Sequence, residues 1–297
     1  MNHTDIEYLD YTWNPTKGCN HGCNYCFARE WSKRMAAMKV PGYDRDDPFA
    51  VHCYPERLKQ PLKKKKPSRI GVSFMGDLFD PKVTDYFIDK VLSTIFYAKQ
   101  HRFLILTKQP ERMYHHMGFL TDGDNSVLPN LALGVSCDNQ VQVDERVPIL
   151  LGTPAAIRFL SLEPLMDDVD ISRYTRPAYD CIHIDEDDGT CGHPDSLTPE
   201  CFNGSDCPTY GSNYNGLDWV IVGAESPQQG RVDTYASYNN LDWTTNIVRQ
   251  CQETNIPIFV KQISRSFKTK PVTNVNDFPP SLQVREYPEA LTFKGGN

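Results

Sequence analysis

The sequence predicts an α/β protein built on a parallel sheet, either open or closed into a barrel. Short apolar runs recur along the chain, and stretches with the apolar spacing of helices lie between them. Continuous apolar runs of this length are typical of parallel strands that are covered on both faces. Because strand and helix alternate, consecutive strands are expected to pair in parallel. The predicted strands are 8–13, 69–75, 102–107, 131–136, 157–162, 218–223 and 257–261.

Two of the connections between these runs have helical character. Residues 83–100 place apolar side chains at helical intervals, and a second helix is predicted over 239–254, ending before Asn255. Asp242 or Thr244 is predicted to cap the second helix, because short polar side chains satisfy the free N–H groups of a first turn.

Polar segments that follow the predicted strands favour the barrel. Parallel barrels carry their sites at the C-terminal ends of the strands. The sequence has no GxGxxG after the first strand and no Walker loop, which argues against a Rossmann or P-loop nucleotide site. The segments at the strand ends are "KGCNHGCNYC", "MGDLFD", "TKQP", "SCDNQ", "LEP" and "GAES".

The composition of the 297-residue chain argues against several classes of protein. No run approaches the ~18 apolar residues of a membrane helix. The first residues do not resemble a secretory signal, so the cytoplasm is the expected location. The net charge of −7 argues against a generally basic nucleic-acid binder. Ten cysteines in such a chain are more typical of metal ligands or catalytic groups than of a disulfide framework.

A long polar segment, residues 172–216, interrupts the pattern between the fifth and sixth strands. We therefore expect residues 1–171 and 217–297 to form the barrel and residues 172–216 to form an insert. Because a polar segment of this length builds no core of its own, a metal is a plausible organiser. Structural zinc, an auxiliary iron–sulfur cluster and the absence of any metal are all open alternatives. The candidate ligands are Cys181, Cys191, Cys201 and Cys207, with His183 and His193 beside them.

Three cysteines within eight residues, Cys19, Cys23 and Cys26, are the most distinctive feature of the sequence. One interpretation is a zinc site completed elsewhere, and another is buried thiols that act as small hydrophobic groups. The C-x3-C-x2-C spacing argues against zinc, because zinc sites usually contain two C-x2-C pairs. Three thiolates suit an iron–sulfur cluster better, since they leave one iron open to a substrate or cofactor.

This motif, with the aromatic Tyr25 before its last cysteine and a β/α context, resembles that of the radical S-adenosylmethionine superfamily. The resemblance implies a partial or complete parallel (β/α) barrel, a [4Fe–4S] cluster on Cys19, Cys23 and Cys26, and S-adenosylmethionine bound to the open iron. It also implies that cleavage of S-adenosylmethionine yields a 5′-deoxyadenosyl radical, which abstracts hydrogen from the substrate. Other segments are similar to a phage and bacterial family of uncharacterised three-cysteine-motif proteins: "WNPTKGC", "MGDLFD", "LTKQPERM", "GVSCDNQ", "SLEPL", "WVIVGAES" and "PIFVKQ".

The resemblance further implies cofactor-binding residues. By position, Gly76 and Asp77 correspond to the segment that holds the methionyl ammonium, because glycine allows close backbone approach and a carboxylate pairs with a cation. The alternative for these two residues is an ordinary turn. Ser136 and Asn139 lie where the superfamily often binds the ribose hydroxyls, and helix capping by Asn139 is the alternative.

Three charged residues at strand ends are candidate catalytic residues. Lys108 follows the third strand, where it could meet the cofactor carboxylate or a substrate anion, and a solvated lysine is the alternative. Glu163 and Glu225 follow the fifth and sixth strands and are expected to point into the cavity, where an unpaired carboxylate would be costly. Lys261 and Gln262 complete the set at the last strand.

The expected substrate rests on association with the phage family. Phages modify DNA bases, and radical chemistry suits the rearrangement of a base substituent. An isomerase-like reaction on a nucleobase or nucleoside-linked substrate is therefore expected, with DNA as a partner. The alternatives are a peptide or small metabolite as the substrate, or a non-catalytic zinc-binding interaction protein. The cluster would require an electron donor such as flavodoxin or ferredoxin, and a phage-encoded enzyme would work in the host cytoplasm.

Overall fold

The computed structural model of the chain describes residues 1–120, 127–175, 216–225, 234–264 and 271–293, without the side chains of 119–120 and 234–239. The strands in these ranges are β1 (Asn2–His3), β2 (Tyr11–Trp13), β3 (Thr16–Lys17), β4 (His52–Cys53), β5 (Arg69–Val72), β6 (Arg102–Thr107), β7 (Leu131–Ser136), β8 (Ile157–Leu162), β9 (Trp219–Gly223) and β10 (Ile258–Gln262). The helices are α1 (Phe27–Ala37), α2 (Gln60–Lys63), α3 (Asp85–Tyr97), α4 (Pro110–Leu120), α5 (Gln140–Gly152) and α6 (Thr234–Glu253).

A curled sheet of eight strands forms the framework of the fold. Its strand order is β1-β2-β5-β6-β7-β8-β9-β10, and β3 and β4 pair separately. All neighbours from β2 to β10 are parallel, whereas β1 adds one antiparallel strand beside β2. The α/β class and the parallel sheet predicted from the sequence are therefore confirmed, and the strands form a half-barrel.

Three predicted strands, 102–107, 131–136 and 157–162, coincide with β6, β7 and β8, because their continuous apolar runs are buried on both faces. The first predicted strand differs at its start, since β2 begins at Tyr11. Tyr8 instead turns across the inside of the curl, where it belongs to the aromatic cluster described below.

The two faces of the sheet pack differently, because alternate residues of each strand point to opposite sides. One face packs against the helices, and Val135 and Leu160 belong to this larger core. The other face is the inside of the curl, where Phe159 and Trp219 are fully buried in a second, mainly aromatic cluster. In the described part of the chain, the helices therefore cover the outer face, and residues near both chain ends, such as Tyr8 and Tyr287, pack on the inner face.

The curl brings the two edges of the parallel sheet close together. The ring centroid of Tyr8, just before β2, lies 5.9 Å from that of Trp219 and 5.7 Å from that of Phe259, on β9 and β10. Tyr287 joins the same two edges, since its ring contacts Phe259 (5.4 Å between centroids) and the Arg69 guanidinium at the start of β5 (4.3 Å). Aromatic rings therefore fill the N-terminal end of the half-barrel.

A polar side chain caps the start of α3. The hydroxyl of Thr84 accepts from Phe87 N–H at the start of α3. The predicted caps Asp242 and Thr244 are wrong, because α6 begins at Thr234 and both residues lie inside it. The first turns of α6 are polar, so the apolar spacing used for the prediction starts only after them.

No helix in the described parts of the chain is long and apolar enough to span a membrane.

Most of the predicted insert, residues 172–216, lies outside the described residues, and so do Cys181, Cys191, Cys201 and Cys207. The chain segments that enter and leave this stretch lie side by side, since Leu217 N–H donates to the carbonyl of Tyr174 at 2.9 Å. Tyr174 is buried and donates its hydroxyl to Asp144 at 3.0 Å. The chain therefore stays packed on the half-barrel up to Tyr174 and returns beside the same point.

Candidate functional site

The three cysteines lie together between β3 and α1. Cys19 and Cys23 belong to the loop, Cys26 caps the N-terminus of α1, and all three are half-buried free thiols. Backbone N–H groups donate to two of the sulfurs: His21 to Cys19 Sγ at 3.3 Å and Arg29 to Cys26 Sγ at 3.4 Å. Hydrogen bonds of this kind tune the thiolates that hold iron–sulfur clusters. We call residues 18–26 the cysteine loop.

Gly18 attaches the cysteine loop to the chain that follows β5. Its N–H donates to the carbonyl of Met75 at 3.0 Å, and its carbonyl accepts from Asp77 N–H at 3.4 Å. These bonds form a parallel bridge between Gly18 and Gly76. A Cβ at Gly76 would lie 2.4 Å from the Gly18 oxygen, so this approach requires glycine.

Asn20 makes a second attachment. Its backbone N–H and its side-chain amide donate to the two carboxylate oxygens of Asp80, both at 2.8 Å. From the other side, Arg29 Nη2 donates to the carbonyl of Cys19 at 3.2 Å. The cysteine loop is therefore held between α1 and the segment after β5, at the C-terminal end of the parallel strands.

In the described parts of the chain, no three Cys, His, Asp or Glu side chains are grouped closely enough to hold a metal ion. The donor set nevertheless suits an iron–sulfur cluster, because three free thiols share one loop and backbone N–H groups already point at two sulfurs. Burial raises the pKa of the Cys19 thiol to about 12 and also raises the pKa of Cys23. These thiols therefore keep their protons until a metal displaces them.

Tyr25 connects the cysteine loop to the ends of two further strands. Its hydroxyl accepts from Lys108 Nζ, just after β6, at 2.8 Å and donates to Asp138 Oδ2, just after β7. Burial, together with the Asp138 carboxylate, raises the pKa of Tyr25, so the phenol stays protonated. Lys108 therefore contacts the cysteine loop rather than lying free in solvent, and its role as a catalytic residue stays a prediction.

Asp77 is buried, and the chain itself occupies its carboxylate. The Thr107 hydroxyl donates to its two oxygens at 2.8 and 2.9 Å, and the backbone N–H groups of Phe79 and Lys108 donate at 2.9 and 3.0 Å. Burial raises the pKa of Asp77, although these hydrogen bonds act in the opposite direction. The carboxylate thus ties the segment after β5 to the end of β6. Binding of the methionyl ammonium by Gly76 and Asp77 stays a prediction.

The two predicted ribose-binding residues lie around the end of β7. Ser136 is the last residue of the strand and is buried beside Ser161 of β8. Asn139 caps α5, because its side-chain oxygen accepts from Gln142 N–H at 3.0 Å. The capping alternative is therefore observed for Asn139, and contact of either residue with a ribose stays a prediction.

Glu163 forms the centre of a polar cluster inside the curl, at the end of β8. Its Oε2 accepts from the hydroxyls of Tyr8 at 3.1 Å and Ser161 at 3.0 Å, and Lys261 Nζ lies 2.8 Å from Oε1. Burial alone would lower the pKa of Lys261, but Glu163 and the charge of Glu7 outweigh it and raise that pKa. The cluster is therefore an ion pair with two hydroxyl groups in the interior of the half-barrel.

Glu225 follows β9 at the same end of the sheet and is half-buried. The backbone beside it is fixed, since Ala224 N–H donates to the Gln262 carbonyl at 3.1 Å and Gln262 Nε2 donates back to the Ala224 carbonyl at 2.5 Å. The ends of β8, β9 and β10 thus present Glu163, Glu225 and Lys261 in neighbouring positions. A catalytic role for Glu163 and Glu225 stays a prediction.

Sequence reasoning missed the partners of the predicted site residues. Ser161 was detectable, because it lies in β8 only two residues before Glu163, which follows the strand directly. The contact of Asp138 with Tyr25 joins residues 113 positions apart, and that of Tyr8 with Glu163 joins residues 155 positions apart. No local pattern in the sequence predicts contacts between residues so far apart along the chain.

Comparison with known proteins gives a family and a fold. The family described as "Protein of unknown function (DUF5131)" matches residues 3–285. No curated protein matches the sequence significantly. A solved structure of a cysteine mutant of spore photoproduct lyase superposes with a TM-score of 0.50 at 12% identity, covering 87% of this chain and 78% of that chain. That likeness shows a shared α/β fold with a curled half-barrel of mostly parallel strands.

Two complexes of the same lyase are also similar, both at 14% identity and both covering 55% of this chain. One holds dinucleoside spore photoproduct, with a TM-score of 0.38, and the other is a mutant with bound AdoMet and dinucleoside spore photoproduct, with a TM-score of 0.37. The matched region spans 48% of each of those chains, about half of their length.

Proposed function

We propose that this chain, which belongs to the family described as "Protein of unknown function (DUF5131)", is a radical S-adenosylmethionine enzyme. In this proposal Cys19, Cys23 and Cys26 hold a [4Fe–4S] cluster with one open iron. The substrate is a nucleobase or a nucleoside-linked molecule, and the reaction is an isomerase-like rearrangement or another modification of a base.

The observation that carries the proposal is the placement of the cysteine loop. Three free thiols lie on one loop, and that loop is hydrogen-bonded to the segments that follow β5, β6 and β7. These are the C-terminal ends of parallel strands, where parallel barrels place their reaction sites. A structural zinc site or a set of packing cysteines would not require this position.

Cys19, Cys23 and Cys26 would hold the cluster, and the bound cluster with S-adenosylmethionine would supply one-electron chemistry for hydrogen abstraction from the substrate. The chain contributes position and the exclusion of water. Gly76 allows the backbone to approach closely, and the aromatic cluster under Tyr8 closes the N-terminal end of the half-barrel. Gly76, Asp77, Ser136 and Asn139 are the proposed contacts of the cofactor.

The interior polar cluster supports a nucleobase as the substrate. Glu163, an acceptor, and Lys261, a donor, pair with each other at 2.8 Å, and the edge of a base carries donors and acceptors that would compete for this pairing. Spore photoproduct lyase acts, by its name, on spore photoproduct, which is a dinucleoside in its complexes. Glu163, Glu225 and Lys108 are the proposed catalytic residues.

Two partners belong to the proposal. A small electron-transfer protein such as flavodoxin or ferredoxin would reduce the cluster, and DNA would carry the base. The insert 172–216 is proposed to be a lobe organised by zinc or by an auxiliary iron–sulfur cluster, held by Cys181, Cys191, Cys201 and Cys207.

The proposal is tested by anaerobic purification and reconstitution with iron and sulfide. We expect a brown protein that converts S-adenosylmethionine into 5′-deoxyadenosine when it is reduced. A colourless protein that carries only zinc would contradict the proposal.

The substrate is tested separately, by mass spectrometry of nucleosides from the source organism with and without the gene. A modified base that disappears with the gene supports a nucleobase substrate, whereas unchanged nucleosides favour a peptide or a small metabolite.

A further inference from the structure

We propose that the hydroxyl of Tyr25 fastens the cysteine loop to the rim of the half-barrel through Lys108 and Asp138. Tyr25 lies two residues after Cys23 and one residue before Cys26. A side chain fixed at this point therefore limits the movement of both neighbouring thiols. The inference rests on the proposed function only for the identity of the metal group that the thiols hold.

The phenol is held from two sides. Lys108 Nζ donates to the Tyr25 oxygen at 2.8 Å, and its ammonium lies 5.2 Å from the centroid of the same ring. The Tyr25 hydroxyl in turn donates to Asp138 Oδ2. A hydroxyl has one donor and two acceptor positions, so it satisfies a cation and an anion at the same time. Phenylalanine would keep the ring and lose both bonds.

Asp138 is a rigid partner for this contact. It is buried, and its other oxygen, Oδ1, accepts from Gln142 Nε2 at 2.8 Å and from Asn139 Nδ2 at 2.6 Å. Both donors belong to the start of α5, so the carboxylate is fixed by the helix while its second oxygen faces Tyr25. Hydrogen bonds in which one partner is ionised are roughly twice as strong as neutral ones.

The helix side of this contact is itself anchored to β7. Arg146 Nη1 donates to Gln142 Oε1 at 2.8 Å and to the carbonyl of Ser136 at 2.5 Å. Arg146 is buried, so these bonds are shielded from solvent. A continuous chain of hydrogen bonds therefore runs from the cysteine loop to the last residue of β7. Tyr25 and Asp138 are positioning residues in this scheme, because they act on the thiols through the loop. Lys108, proposed above as a catalytic residue, also donates to the Tyr25 hydroxyl.

The first test uses metal-free protein and hydrogen exchange of the amides in residues 19–26. Tyr25→Phe removes one hydroxyl from a well-folded region, and we expect exchange to become about tenfold faster than in the wild type, because a charge-assisted bond is lost. Tyr97→Phe is the matched control, since Tyr97 is 68% exposed on α3 and the same change there should leave exchange unaltered. Equal exchange in Tyr25→Phe and Tyr97→Phe would overturn the proposal.

The second test measures release of iron from the reconstituted protein to a chelator. We expect Tyr25→Phe and Asp138→Ala to lose iron about tenfold faster than the wild type. Asp138→Asn, which keeps an acceptor oxygen for the Tyr25 hydroxyl, should recover part of the difference. If the wild type binds no iron but the amides of Tyr25→Phe still exchange faster, the role of Tyr25 in holding the loop is supported and the proposed cluster is contradicted. If all variants bind iron and release it equally fast, the role of Tyr25 is contradicted and the cluster is supported.

Discussion

The backbones of Gly18 and Gly76 lie against each other, so that a Cβ on Gly76 would come within 2.4 Å of the Gly18 carbonyl oxygen. Real Cβ atoms do not approach a backbone oxygen so closely, and one of the two segments would have to move. This contact joins the cysteine loop to the chain after β5. The observed need for glycine at position 76 comes from this contact with Gly18, and an approach of Gly76 to the cofactor stays a prediction.

We predict that Gly76→Ala destabilises the protein by about 1–3 kcal/mol, the usual cost of forcing extra volume into a tight contact. The same variant should retain less iron after reconstitution, because the cysteine loop is displaced. Gly118→Ala is the matched control, since a Cβ at that helical position would meet no atom within 4 Å beyond its neighbours in the same helix. Urea unfolding followed by circular dichroism measures both variants. Equal stability of Gly76→Ala and the wild type would show that the close approach is relaxed in solution.

The ion pair between Glu163 and Lys261 predicts a non-additive pair of substitutions. Glu163→Gln leaves the ammonium without its counter-charge in the interior and should cost on the order of 3 kcal/mol at most. Combining it with Lys261→Met removes the stranded charge, so the double variant should be more stable than Glu163→Gln alone. Unfolding free energies of the four proteins in the cycle provide the measurement. Additive losses would mean that water in the half-barrel already screens the pair.

The raised pKa of Cys19 predicts how the metal-free protein reacts with pH. Burial raises the pKa of this thiol to about 12, so the reactive thiolate fraction keeps increasing above pH 9, where an ordinary cysteine approaches its plateau. Labelling of Cys19 with iodoacetamide, followed by mass spectrometry, should therefore rise without a plateau up to pH 10. The control is an unstructured peptide of residues 17–21. A plateau at the same pH in protein and peptide would rule out the burial effect.

The thiol protons of Cys19 and Cys23 should also affect cluster assembly. Because iron binding must displace these protons, the extent of reconstitution should increase between pH 7 and pH 9 under limiting iron. A constant yield over this range would mean that the cysteine loop opens before it binds iron.

The insert predicts a second metal that is independent of the first. If Cys181, Cys191, Cys201 and Cys207 hold structural zinc, the purified protein should contain about one zinc beside its four irons. Paired alanine substitutions among these four residues should remove the zinc and make 172–216 sensitive to protease, while the iron content stays constant. About eight irons without zinc would indicate an auxiliary cluster. Neither extra metal nor protection from protease would mean that no metal organises the insert.

Part of this structure follows from the sequence, and the physical reason is local. The apolar runs 102–107 and 131–136 predict β6 and β7 to the residue, because the middle of each strand is buried on both faces and is therefore apolar. The spacing of Cys19, Cys23 and Cys26 likewise predicts that the cysteine loop is part of the site. The start of α6 was missed by several residues, because its first turns are polar and show no apolar period.

The contacts that organise the site could not be predicted in the same way. Asp138 and Lys108 meet Tyr25 only because neighbouring parallel strands end at the same edge of the sheet. Tyr8 reaches Glu163 only because the sheet curls and brings its first and last strands together. Such pairings depend on strand order and curvature, which the spacing of residues along the chain does not specify.

The most direct test of the central claim compares cysteine variants in one assay, after anaerobic reconstitution and with a chemical reductant. Iron content and conversion of S-adenosylmethionine to 5′-deoxyadenosine are measured for Cys19→Ala, Cys23→Ala and Cys26→Ala. Cys53→Ala serves as the control, because Cys53 is also a half-buried free thiol and lies on β4, outside the motif. We predict that each motif variant loses most of its iron and all 5′-deoxyadenosine formation, while Cys53→Ala keeps both. Retention of the brown colour and of 5′-deoxyadenosine formation in all three motif variants would contradict the account.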